Sequence, residues 1–137
     1  MASILKVDEM QGVTSAGDIT ITGEGTATMK LQSGVAKAFV RYDANTSLSV
    51  NKSFNVSSVT DNSTGYQTPN FTNAFSDADY IVTVGVNDVD ASSSFYALNP
   101  HTYVTGGVGL DSWKQTGGTT TQIDVNRNHV TVHGDLA

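Results

Sequence analysis

The chain runs to 137 residues, with 13 acidic against seven basic side chains, a formal net charge of −6 and no cysteine. Disulfide staples and Cys-based zinc sites are therefore excluded, and seven cations scattered singly make no counterion-releasing face for nucleic acid. A hydrophobic content of 38% with only 15% charged residues argues against a disordered chain, and the remaining polarity comes from Ser, Thr, Asn and Gly, the palette of sheets rich in turns.

The opening segment "MASILKVDEMQG" holds a short apolar piece at Ile4–Asp8 but not the long apolar run of a signal peptide, and no stretch approaches a membrane span. After the loop "GVTSAG" (12–17), "DITIT" (18–22) alternates, Gly23-Glu24-Gly25 turns, and "TATMKLQ" (26–32) alternates again. Met29 and Leu31 share one face of that last piece; Thr28, Lys30 and Gln32 share the other. The apolar edges Ile4, Leu5, Val7, Ile19, Ile21, Met29 and Leu31 are too few to close a core. Residues 1–34 are therefore expected to form an arm for attachment and oligomerisation, pairing with neighbouring chains.

From Val35 the pattern becomes denser. "VAKAFVRY" places Val35, Phe39 and the stems of Lys37 and Arg41 on one face, and Ala36, Ala38, Val40 and Tyr42 on the other. Leu48–Val50 follows. Val56–Asp61 and Tyr66–Phe71, joined by Asn62-Ser63-Thr64-Gly65, read as a β-hairpin, because Asn and Gly supply the positive φ of a tight reversal. Pro69 cannot donate to a ladder, which predicts that its strand is an edge. Tyr80–Val86 is the most apolar run, β-branched on both faces, and predicts a central strand. Phe95–Leu98 is stopped by Asn99-Pro100. Tyr103–Thr105, the loop-like "TGGVG" (105–109), Ser112–Gln115, and a final pair Thr119–Val125 and His129–Val132 joined at "NRN" (126–128) complete the series.

No 3.6-residue periodicity persists over a helix-length window, and turn residues recur every few positions. The pattern predicts an all-β chain, with an antiparallel β-sandwich over residues 35–137. Phe39, Val40, Phe54, Val56, Phe71, Ile81, Val84, Ile123 and Val130 are its expected core.

Little catalytic chemistry is visible. Asp77 and Asp79, and Asp88 and Asp90, are acidic pairs in loops that suit either calcium ligation or turn capping, but the glycine and closing Glu of an EF-hand are missing. His129 and His133 share one side of a strand, where four residues separate them by roughly 13 Å, too far for one zinc ion. No G-x-S-x-G elbow or phosphate-cradling glycine motif occurs, so the chain is expected to be no enzyme and to need no metal or cofactor. What remains is a contact surface. Trp113, the sole Trp, stands among turn residues with Tyr103, His101 and Asn99 nearby in sequence. It either caps the core or offers its ring to a sugar or protein partner.

The stretch "AKAFVRYDANTSLSVNKSFNVSSVTDNSTGYQTPNFTNAFSDADYIVTVG" (36–85) resembles a module of tail-fibre-like virion proteins of bacteriophages, especially marine ones. The likeness rests on Ala36-Lys37-Ala38, Ser53–Ser58, Thr60-Asp61-Asn62, Asn70-Phe71-Thr72 and Asp77–Tyr80, with "SILKVDEMQG" similar to the family's leading segment and "VTVHGDLA" to its closing strand. Phe39 replaces the family's usual Trp, Pro69 an apolar strand residue, and His133 an aromatic one. The likeness fades from Ala91 to Asp124.

The resemblance implies a non-enzymatic phage structural protein, trimeric, made in the bacterial host cytoplasm and located in the virion. The resulting expectation is a tail-fibre or tail-knob protein with an arm over residues 1–34 and a knob over 35–137. Its partners would be two further copies of itself, other tail or capsid proteins, and a host-surface glycan or protein; nucleic acid and membrane insertion are not expected. Recognition would fall to the loops 87–94, 99–102 and 105–118, with Trp113, Tyr103, His101 and Asn99 as contacts. A capsid decoration protein is the alternative, since 137 residues is short for a fibre shaft, and a free carbohydrate-binding module is a further one.

Overall fold

Short alternating and β-branched runs, punctuated by Gly, Asn and Ser, fold into strands through most of the chain. A computed structural model describes residues 7, 9–10, 19–22, 28–87 and 94–137. It divides into two units, Met1–Val35 and Ala36–Ala137.

In the first unit, β1 (Thr20–Thr22) and β2 (Thr28–Lys30) pair antiparallel with Ile21 opposite Met29. The Leu31 N–H donates to the Ile19 carbonyl at 2.7 Å. Where alternation predicted more strand, Leu31–Gly34 instead closes a single helical turn, α1, because Ser33-Gly34 is a turn sequence rather than a strand one. Val7, Met10 and Ile21 are exposed, Ile19 and Leu31 half-buried, and Ile4 and Leu5 fall outside the described residues.

The second unit contains β3 (Ala38–Asp43), β4 (Ser49–Phe54), β5 (Val56–Ser63), β6 (Tyr66–Phe71), β7 (Ile81–Asn87), β8 (Phe95–Val104), β9 (Gly107–Thr116), β10 (Thr119–Gln122) and β11 (Arg127–His133). One sheet runs β4-β3-β11-β7. The other has β9 at its centre, flanked by β8 on one edge and by β6 and then β10 on the other, with β5 outside β6. Every pairing is antiparallel, and the two sheets pack as a β-sandwich. Ala38, Val40, Tyr42, Val130 and Val132 from the first sheet meet Val59, Phe71, Leu98, Val108 and Leu110 from the second. Val56, Val82 and Val84 pack partly buried against this core.

The chain changes sheet between β4 and β5 at Asn55, whose φ of 52° turns the corner without glycine. Its carboxamide is clamped to Asn73. Asn55 Oδ1 accepts from the Asn73 backbone N–H at 2.7 Å, and its amide donates to the Asn73 carbonyl at 3.1 Å. One end of the core is closed by rings: Phe71 and Phe75 lie 4.9 Å apart, Phe75 and Tyr80 4.8 Å, and Tyr80 and Tyr103 5.3 Å. The Tyr80 hydroxyl donates to the Gly107 carbonyl at 2.6 Å, tying the entry to β7 onto the other sheet.

Several expectations are overturned. Pro69 is not on an edge strand: β6 lies between β5 and β9, and the Pro69 ring is fully buried. Two residues on, the Phe71 N–H reaches the Gly106 carbonyl, so the donor that Pro69 lacks would also face β9. The ladder is interrupted there, between Gln67↔Leu110 and Asn70↔Gly107. Tyr80–Val86 is not central, because among the described residues β7 pairs with β11 alone, at a sheet edge. Alternation turns Val82 and Val84 inward, so Ile81 (69% exposed) faces outward, as does Phe54 (53%), rather than into the core, and Phe39 and Ile123 are half-buried. The last two strand segments do not pair with each other. β10 joins β9 while β11 inserts between β3 and β7, since the chain crosses sheets at 123–126. "TGGVG" is largely strand, and β8 runs straight through Asn99-Pro100, which an edge strand tolerates with a bulge between Pro100 and Thr102.

The hairpin tip is tightly enclosed. Gly65 has φ 73°, and a Cβ there would lie 2.8 Å from the Ile123 nitrogen and 2.9 Å from the Ser112 carbonyl oxygen. Gly65→Ala combines left-handed strain of about 1–2 kcal/mol with a backbone clash, so the expected loss is on the order of 2 kcal/mol or more, a Tm fall of roughly 10 °C by calorimetry.

Tyr42 is wholly buried, its hydroxyl has no protein partner, and burial raises its phenol well above the ordinary value near 10. A raised phenol pKa favours the folded state fully at neutral pH and stops doing so as the unfolded chain ionises. Stability should thus fall as pH climbs past about 10, and Tyr42→Phe should flatten that fall while leaving Tm at pH 7 unchanged or higher, as urea titrations at stepped pH would measure.

Candidate functional site

Strand alternation divides β9 cleanly. Val108, Leu110 and Ser112 are buried inside, whereas Gly109, Asp111 and Trp113 face out. Pairing then decides what surrounds them. Asp111 lies opposite Tyr66 on β6 and Asn99 on β8, and Trp113 lies opposite Ala97 on β8 and Gln122 on β10. Residues from four strands thus converge on the outer surface of one sheet.

Gly109 makes room for the centre of this surface. A Cβ there would touch Thr102 Cβ at 3.0 Å, the Tyr66 ring at 3.2 Å and the His101 ring at 3.3 Å. The bulge at Pro100/Thr102 re-aims His101 over the sheet, where its ring meets that of Tyr66 at 4.9 Å. His101 Nδ1 lies 2.8 Å from Thr102 Oγ1, and Nε2 lies 3.6 Å from Asp111 Oδ1. The Gln122 amide donates to the same carboxylate oxygen at 3.2 Å. Phe95, 80% exposed, and half-buried Trp113 extend the surface along β8 and β9.

The order carboxylate, imidazole, hydroxyl is also that of a hydrolytic triad. Here the His101 ring is exposed, and its Nε2 stands 3.6 Å from the Asp111 carboxylate, beyond hydrogen-bond distance. Flat rings beside a carboxylate, a carboxamide and an imidazole can instead stack on and hydrogen-bond a polyhydroxylated or peptide surface.

Of the residues singled out from sequence, His101, Asn99 and Trp113 do meet on this face, though on strands rather than loops. Tyr103 does not. It pairs with Val108, on the opposite side of the sheet, and packs on Tyr80. Tyr66, Asp111 and Gln122 were missed, because only register brings them together. The residues 88–93, including Asp88 and Asp90, lie outside the described residues. Asp77 caps a turn, accepting the Asp79 N–H at 2.9 Å. No family model, curated protein or solved structure matches this chain.

The Gly109 contacts give a direct check. Gly109→Ala should force the Tyr66 and His101 rings apart at a cost of about 1 kcal/mol. The His101 ring-proton NMR shift, displaced by the neighbouring phenol, should return toward its exposed position; an unmoved shift would refute the tilted ring pair.

Proposed function

We propose that this protein is a non-enzymatic structural component of a bacteriophage virion, of tail-fibre or tail-knob type, whose β-sandwich is presented for attachment to the host surface. The observation that carries the attachment role is the outward cluster of Tyr66, His101, Asp111, Trp113 and Gln122 on a strand framework. The phage assignment rests on the resemblance over residues 36–85. In this reading residues 1–34, with exposed Val7, Met10 and Ile21, hold the protein to the particle and to two further copies of itself. Three copies engage a surface together, so a weak single site suffices.

Trp113→Ala tests the attachment role on assembled particles. Binding to host cells should fall at least tenfold, while Tm drops by only a few degrees, since Trp113 is outside the buried core. Full attachment by the variant removes the contact role. Antibody labelling that places the chain on the phage head rather than the tail would favour the decoration alternative.

A further inference from the structure

We infer that the outer face of the four-stranded sheet, opposite to the Trp113 surface, is a binding groove for a short acidic saccharide. The row Lys52–Arg41–His129–Gly85 crosses all four strands at one register level, and Phe54–Phe39 form the next level across β4 and β3. The two rings stack, with centroids 5.7 Å apart. Phe39, Arg41, Asn51, Lys52 and His129 line an open groove of about 490 Å3, within the range of roughly 300–1,000 Å3 typical of small-molecule sites. Its β7 side is left open by Gly85, whose missing side chain would have stood 3.8 Å from His129 Cβ.

Ordinary surface logic explains only part of this. A lysine on edge strand β4 deters sheet-to-sheet pairing, which accounts for Lys52. It does not account for Arg41 and His129, which occupy the interior strands β3 and β11. Among the described residues no carboxylate forms an ion pair with Arg41 or Lys52, and Asp43, two positions along, is engaged by the Asn45 N–H at 2.9 Å. A bulge between Arg41 and Tyr42 places Asn51 as the extra residue beside the groove. The result is a local cluster of cations on a protein of net charge −6.

Charge complementarity calls for an anion, and the guanidinium fork of Arg41 matches a carboxylate or sulfate with two parallel hydrogen bonds. The half-exposed Phe54 ring offers an apolar plane for a pyranose face, while Asn51 and His129 supply donors for hydroxyls. Two cations, Arg41 and Lys52, are too few for the counterion release that holds a nucleic acid, and the acidic remainder repels a long polyanion. A uronate or sulfated sugar unit at a chain end fits these limits.

The test is calorimetric titration of the full chain with tetragalacturonate, a sulfated galactan tetramer, an uncharged cello-oligosaccharide and octadeoxythymidylate. Binding of either acidic sugar is expected, at least tenfold tighter than the neutral one; the tighter acidic probe identifies the anionic group. Arg41→Gln with Lys52→Gln should weaken it by about tenfold or more and Phe54→Ser by several-fold, with Tm held as the folding control. Trp113→Ala should leave it unchanged, so this inference and the attachment role of the other face stand or fall separately. Equal binding of the neutral sugar, tighter binding of the oligonucleotide, no binding of either acidic probe, or unaltered affinity in folded Arg41/Lys52 variants overturns it.

Discussion

The carboxylate of Asp124 accepts the Gly65 N–H at 2.7 Å and the Gln67 side-chain amide at 2.9 Å, and the path of the chain between the two sheets depends on this meeting. After β10 the chain must leave one sheet and deliver β11 into the middle of the other. It does so under the tip of the β5–β6 hairpin, with the Ile123 N–H on the Ser112 carbonyl and the Val125 carbonyl receiving Ala44. Gln67 is fully buried and would be costly without Asp124. Gly65 fits because nothing larger can, between Ser112 and Ile123. Together these contacts join β6, β9 and the approach to β11 at the point where the chain crosses between the sheets.

That closure leaves two unlike outer faces. One carries Tyr66, His101, Asp111 and Gln122 in mutual contact, polar and aromatic with a single carboxylate at its centre. The other carries Arg41, Lys52 and His129 beside the Phe39–Phe54 stack. Neither arrangement contributes much to the core, whose largest buried side chains are Tyr42, Phe75, Leu110 and Gln67. Among the described residues, neither the exposed Phe54 ring nor Arg41 on interior strand β3 is part of the buried core. Both proposed contact roles draw on side chains that the fold does not require.

Local pattern made parts of this visible beforehand. Alternation assigned Ala38, Val40 and Tyr42 to one side and Phe39 and Arg41 to the other, as the burial of β3 bears out. The hairpin at Asn62–Gly65 followed from turn chemistry, and Gly65 does take positive φ. The failures share a cause. Pro69, Ile81 and Phe54 were placed by what a residue prefers on average, and each was then decided by a neighbour. A gap in the ladder to β9 admits Pro69 inside, the inward packing of Val82 and Val84 turns Ile81 to the outer face, and Phe54 gains its partner ring on that face.

By itself, the sequence determined that the chain is all-β, where the β5–β6 reversal falls, and which residues of β3 share a face. Those properties depend on φ/ψ preference and the two-residue period, both local. Tertiary structure alone decided that β10 pairs with β9 while β11 joins β3 and β7, and that Asp111 lies beside Tyr66. It also decided that Arg41, Lys52 and His129, far apart in the chain, form one row. Strand order and register are set by which apolar faces can close over one another, and that closure is a property of the packed sandwich rather than of any segment within it.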